Sequence, residues 1–147
     1  MARMLAAVAV FLFLLSPAGW ARYDPDFPNL TKKDRTAIRQ VVEAQLDAFR
    51  HDDAHAAFSY ATPTVQRRFR SPEEFLAFVR SVYPAVYRAH DVEFRRIRIT
   101  EAGPVQVIYL LGPGSQPLLG HYLMEQQPDG QWKIDACRVT AASGTGI

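Results

Sequence analysis

The sequence predicts an α+β domain: a cone-shaped, curved four-stranded antiparallel sheet wrapped on three N-terminal helices. Three observations carry this. As far as Tyr83 the apolar residues recur at helical spacing, and from Asp91 onward the pattern changes to that of strands. Glycine and proline then divide the second half into short segments joined by tight turns. Helices first and an antiparallel meander afterwards is the α+β plan.

At the N-terminus Arg3 opens a short basic region, followed by an unbroken apolar run of eleven residues, Leu5 to Leu15. Ser16 and Pro17 break the run, and the small residues Ala18, Gly19 and Ala21 follow. That is the layout of a secretory signal peptide, and the run is shorter than the roughly 20 apolar residues that cross a bilayer. Cleavage after Ala21 sets Gly19 and Ala21 at the small-residue positions; cleavage after Ala18 is the alternative. With no cysteine near the junction for a lipid, the mature form is expected to have no membrane anchor. It is expected to be exported, to the periplasm or outside the cell. Residues 1–21 are then the signal peptide, 22–30 a leader, 31–141 the domain and 142–147 a flexible tail.

Thr31-Lys32-Lys33-Asp34 resembles a capping box with Asp in place of Glu. Ile38, Val41, Val42, Gln45, Leu46 and Phe49 follow at helical spacing, so helix one is expected from about Thr31 to His51. Asp52 or Asp53 caps a short second helix through Ala54, Ala57 and Phe58, stopped by Thr62-Pro63. Val65 to Phe69 reads as a turn or short helical piece. Ser71-Pro72-Glu73-Glu74 is a strong helix start, and this third helix ends or kinks near Tyr83, before Pro84.

In the first strand, Asp91 to Thr100, the alternation slips: Val92 and Phe94 share one face, Ile97 and Ile99 the other. A bulge near Arg95-Arg96 returns both sets to the core side and bends the strand. Val105 to Leu111 is continuously apolar, as in a central strand. Leu118 to Gln127 is the third strand, Pro128-Asp129-Gly130 a hairpin turn, and Gln131 to Thr140 the fourth strand.

Composition excludes some functions. Without residues 1–21 the chain keeps 16 basic and 15 acidic residues, a net charge of +1. Near-neutrality and export argue against nucleic-acid binding. The lone cysteine, Cys137, allows no internal disulfide and reads as a small buried residue on a strand. His51 and His55 stand four apart, but no third ligand follows with metal-site spacing. There is no phosphate loop, no nucleophile elbow and no Cys-x-x-Cys, so no cofactor is expected.

Val42-Glu43-Ala44-Gln45-Leu46-Asp47-Ala48-Phe49, Tyr83-Pro84-Ala85-Val86-Tyr87 and Gly130-Gln131-Trp132-Lys133-Ile134 together resemble an uncharacterised bacterial family, a domain of unknown function. That family lies within the nuclear transport factor 2-like superfamily. The resemblance runs from about Thr31 to Thr140 and implies a cone with a pocket inside. It also implies a homodimer through the outer sheet face. The superfamily includes isomerases, dehydratases, hydrolases and domains that only bind, so fold analogy does not choose among them.

The chain's acid and base residues match no catalytic motif of those enzymes. The ligand-pocket candidates are Tyr83, Tyr87, Arg98, Tyr109, His121 and Tyr122. His121 and Tyr122 are adjacent on a strand and face opposite sides, so one of them points into the cone. His121 reads first as a hydrogen-bonded histidine at a core edge. Asp135 is expected to point outward if Trp132 and Ile134 point inward. The leading expectation is a non-catalytic domain that binds a small apolar molecule or pairs through its sheet. One rival is a cofactor-free enzyme using His121, Tyr109, Tyr122 and Arg98. The other is a protein-interaction module in which Arg67, Arg68, Arg95, Arg96 and Arg98 form one patch.

Overall fold

The computed structural model describes residues 30–142. The expected signal peptide with its cleavage at Ala21, the leader before Leu30 and the tail from Ser143 onward lie outside the described residues. Among the described residues no helix is long and apolar enough to cross a membrane.

Helix α1 (Lys32–Arg50) begins where its capping box predicts. The Thr31 hydroxyl accepts from Asp34 N at 3.1 Å, and the Asp34 carboxylate accepts from Thr31 N at 3.0 Å. Ile38, Val42, Leu46 and Phe49 form its buried stripe. Asp53, not Asp52, caps α2 (Ala54–Ser59); Asp52 takes a left-handed φ of 54° that turns the chain out of α1. Helix α4 (Pro72–Val82) is capped by Ser71.

Two further single-turn helices raise the count from the expected three to five among the described residues. They are α3 (Pro63–Gln66) and α5 (Pro84–Tyr87). Both begin on a proline expected to stop a helix. Proline ends what precedes it but suits the first helical position, where its missing N–H loses no hydrogen bond. Thr62 therefore closes α2 and also caps α3, accepting from Val65 N.

Strands β1 (His90–Thr100), β2 (Gly103–Leu111), β3 (Pro117–Gln126) and β4 (Trp132–Ala141) form an open antiparallel meander in chain order. The pairing of β1 slips between Phe94 and Ile97, where a bulge was expected. The buried Gln106 amide donates to Arg95 O there at 2.7 Å, which satisfies a carbonyl at the bulge. Pairing in β1 also slips between His90 and Glu93, and a third slip spans Asp135, since Leu123 pairs with Ala136 and Met124 with Ile134. That bulge corrects the expected outward Asp135: it is half-buried and accepts from Thr62 Oγ1 at 2.8 Å.

The helices cover one face of the sheet. Ile108, Leu110, Tyr122, Met124, Trp132 and Ile134 meet them in the main core. By the two-residue alternation of strands, Val105, Val107, Leu119 and Leu123 lie on the opposite face, where they make a second small cluster with Ala136. Two ties fasten β4 to the helices. Trp132 Nε1 donates to Asp34 Oδ1 at 3.1 Å, and across a short parallel bridge between Ala61 and Ile134, Ile134 N donates to Tyr60 O at 2.8 Å and Thr62 N to Ile134 O at 2.9 Å.

Candidate functional site

The cone holds a cavity of about 30 Å³. Gln45 and Phe49 of α1 form one wall, with Val65 of α3 and Phe75 and Val79 of α4 beside them. Tyr83 and Val86 close it from the α4–α5 junction, and Tyr122, Ile134 and Cys137 form the sheet side. A space of this size takes one or two water molecules.

Each wall has a local cause. Gln45 falls on the apolar stripe of α1 and is buried because its Nε2 donates to Ala57 O at 3.0 Å, which joins α1 to α2. Phe75 is fixed by ring contacts with Phe49, Phe58 and Phe69, at centroid distances of 6.0, 5.3 and 5.3 Å. Tyr122 lies against Gly120. A Cβ at Gly120 would meet Ile108 at 3.0 Å and the Tyr122 ring at 3.1 Å, so glycine leaves the ring its place along the strand.

The Tyr122 ring is fully buried and its hydroxyl has no hydrogen-bond partner. The Cys137 thiol, directly across the strand pair, is near enough to perturb its titration but makes no hydrogen bond of good geometry with it. A thiol is a weak partner in any case. Burial raises the Tyr122 hydroxyl well above its ordinary value, and the neighbouring Cys137 adds to this. Burial likewise pushes the Cys137 thiol up to about 12. Both groups are therefore neutral at ordinary pH. They can donate hydrogen bonds, but neither serves as a nucleophile or a base.

Two of the six sequence candidates, Tyr83 and Tyr122, line the cavity. Tyr87 packs on Phe49 with its hydroxyl turned away to donate to Asp52, whose carboxylate also takes Arg88 Nη2 at 3.0 and 3.1 Å. Tyr87 thus belongs to a clasp between the end of α1 and the start of the sheet. Tyr109 stands on the outer face beneath the Arg95 guanidinium, 5.5 Å from its ring centroid. Arg98 and His121 are also on the outer face, opposite Val105 and Val107 in the strand register. His121 Nε2 lies 3.0 Å from Thr140 Oγ1. Burial, helped by Arg138 and Arg98, pushes its ring down to about 4.

Topology separates the arginines expected to share one patch. Arg67 and Arg68 follow α3, which packs on β4, whereas Arg95, Arg96 and Arg98 lie on β1 at the opposite edge of the sheet. They do not form one patch. His51 lies against Asp47 at the end of α1, and His55 pairs with Glu73 of α4 at 3.2 Å. No group of three metal-ligating side chains converges among the described residues.

Sequence reasoning did not single out Gln45 or Cys137 as cavity residues. A signal for Gln45 was present: it is the polar member of an otherwise apolar helical stripe. Cys137 carried none, because its place depends on the Asp135 bulge that resets the facing of β4. A larger surface groove, about 520 Å³, runs between α1 and the β3–β4 hairpin past Val41, Tyr60 and Trp132. Among the described residues it presents no buried polar atom that lacks a partner.

Comparison with solved structures finds similarity to three proteins. An NTF-2 like protein of unknown function from Shewanella oneidensis MR-1 is 19% identical, covering 71% of this chain and 97% of that one, with a TM-score of 0.47. A second, from Burkholderia xenovorans LB400, is 18% identical over 77% and 88% of the two chains, TM-score 0.46. A snoal-like protein of unknown function from Burkholderia thailandensis E264 is 16% identical over 78% and 99%, TM-score 0.46. No curated protein matches the chain. The family described as a domain of unknown function, DUF4864, matches residues 31–147. The chain belongs to that DUF4864 family.

Proposed function

We propose that this is an exported, non-catalytic binding domain that takes the apolar end of a small molecule into its cone, with the Tyr122 hydroxyl as polar anchor. The observation that carries it is a fully buried, unpartnered hydroxyl facing an otherwise apolar cavity. Leaving such a group unsatisfied costs about 1–3 kcal/mol, which an acceptor on a ligand would offset. An apolar space with a few convergent polar groups is the usual form of a small-molecule site. A whole ring enters a cavity this small after Tyr83 or Val86 swings outward. Export rests on the signal-peptide pattern of residues 1–21.

Proton-transfer chemistry fits less well, because the histidine favoured for it stands on the far face of the sheet and the cavity's own titratable groups stay neutral. Pairing through the outer apolar cluster also fits less well: Val105, Val107, Leu123 and Ala136 are already between 1% and 7% exposed in a single chain.

The test uses cyclohexanone, an apolar ring with one carbonyl acceptor, observed by saturation-transfer NMR from the methyls of Val79 and Val86. Transfer at millimolar affinity is expected for so small a ligand, with its loss in a folded Tyr122→Phe variant. No transfer to the native protein, or equal transfer in the variant, ends the proposal.

A further inference from the structure

Gln45 is the one polar side chain among the buried residues of α1, and its bond to Ala57 accounts for only one end of the amide. Ala57 O accepts and cannot donate, so the end that meets it at 3.0 Å is the nitrogen, and Oε1 is the end left over. Gln45 is 4% exposed, yet among the described residues nothing donates to that oxygen. Gln45 and Tyr122 line the same cavity, one from α1 and the other from β3. The space is therefore bounded by a buried acceptor without a donor and a buried hydroxyl without an acceptor.

The walls limit what can serve both. Among the described residues no acidic or basic side chain lines the cavity, so a carboxylate or an ammonium would be buried there without a counter-charge. A carbonyl or ether oxygen accepts from Tyr122 but leaves the Gln45 oxygen facing apolar atoms, an unsatisfied buried acceptor. A space of about 30 Å³ takes a head group about the size of a water molecule. An alcohol hydroxyl is that small, and it carries donor and acceptor on one oxygen.

We infer that the cone selects a hydroxylated apolar molecule, a neutral alcohol whose oxygen accepts from the Tyr122 hydroxyl and donates to Gln45 Oε1. This rests on the cavity being the binding site, and it makes Gln45 the residue that sets specificity there. The two bonds run in one direction, from Tyr122 to the ligand and from the ligand to Gln45, so each polarises the other in a low-dielectric interior. The tie from Gln45 Nε2 to α2 holds the amide in one orientation, which keeps the acceptor in place before the ligand arrives.

The test compares cyclohexanol, cyclohexanone and cyclohexyl methyl ether on the native protein, with affinities taken from titrated NMR shifts of the Val79 and Val86 methyls. Cyclohexanol should bind about fivefold tighter than cyclohexanone, the worth of one net hydrogen bond. Methylating the hydroxyl removes the donor and should abolish the gain. A folded Gln45→Met variant, similar in volume, should bind the alcohol and the ketone equally. The ligand series reads the donor without any substitution, so the inference is tested even if that variant folds poorly. Cyclohexanone bound as tightly as cyclohexanol, or a preference for the alcohol unchanged in Gln45→Met, would overturn it while the cavity remains a binding site. Binding of none of the three would overturn the cavity reading as well.

Discussion

His121 and Tyr122 are neighbours in the chain and belong to different regions of the molecule. Both carry a polar group on a largely buried ring, and burial drives both toward the neutral form. His121, on the outer face, has a hydroxyl partner and two arginines around it. Tyr122, on the inner face, lies in the main apolar core with its hydroxyl unpartnered. One strand thus presents a polar, charge-bearing surface and an apolar interior at successive residues. The inner face holds the domain together, while polar groups on the outer face can change with less effect on the fold.

The largest expected effect breaks the inner face. Ile108→Ala removes a side chain of 0% exposure and should destabilise the domain by about 3 kcal/mol through lost transfer energy and a cavity. Leu119→Ala, on the outer face and half-buried, should cost about 1 kcal/mol. Urea unfolding of the two variants measures the difference, and equal losses would mean that both faces bear the same load.

Acidification sharpens the contrast. The folded His121 titrates near 4, below its ordinary 6.5, so its contribution is fully present above pH 6.5. It is lost as pH falls toward 4, because the unfolded chain takes up a proton that the folded chain refuses. Solvent screening at the sheet surface reduces the full conversion of that shift to about 1–2 kcal/mol. Stability measured by urea at both ends of the range should fall by this amount in the native protein. A His121→Gln variant should lack that part of the fall; an unchanged slope would show that other groups carry it.

The smallest effect is expected at the orphan hydroxyl. Tyr122→Phe removes a group without a hydrogen-bond partner, so thermal stability should stay level or rise by up to about 1 kcal/mol. A loss above 1 kcal/mol would reveal a partner for the hydroxyl.

Much of this was legible in the chain. The capping box at Thr31, the serine cap at Ser71, the bulge near Arg95 and the Pro128-Asp129-Gly130 turn depend on residues close in sequence, and each is found where its pattern places it. The single turns after Thr62 and Tyr83 were harder, because Thr-Pro and Tyr-Pro signal an end and a beginning alike. The candidate site was less legible. Tyr83 and Tyr122 reach the cavity, while Tyr87 is drawn to Asp52, 35 residues earlier.

Local rules suffice wherever a residue's partner lies within a helical turn or a hairpin. By itself, therefore, the sequence determined the order of helices and strands, the turns between them and the opposition of His121 and Tyr122. Only the tertiary structure decided which of the two faces inward, because that choice belongs to the helices packed on the sheet. It also decided that Gln45 and Cys137 line the cavity with Tyr122, and that Arg138 stands directly opposite His121. Those groups come together through strand register and two bulges. A one-residue slip in register turns every side chain beyond it to the other face.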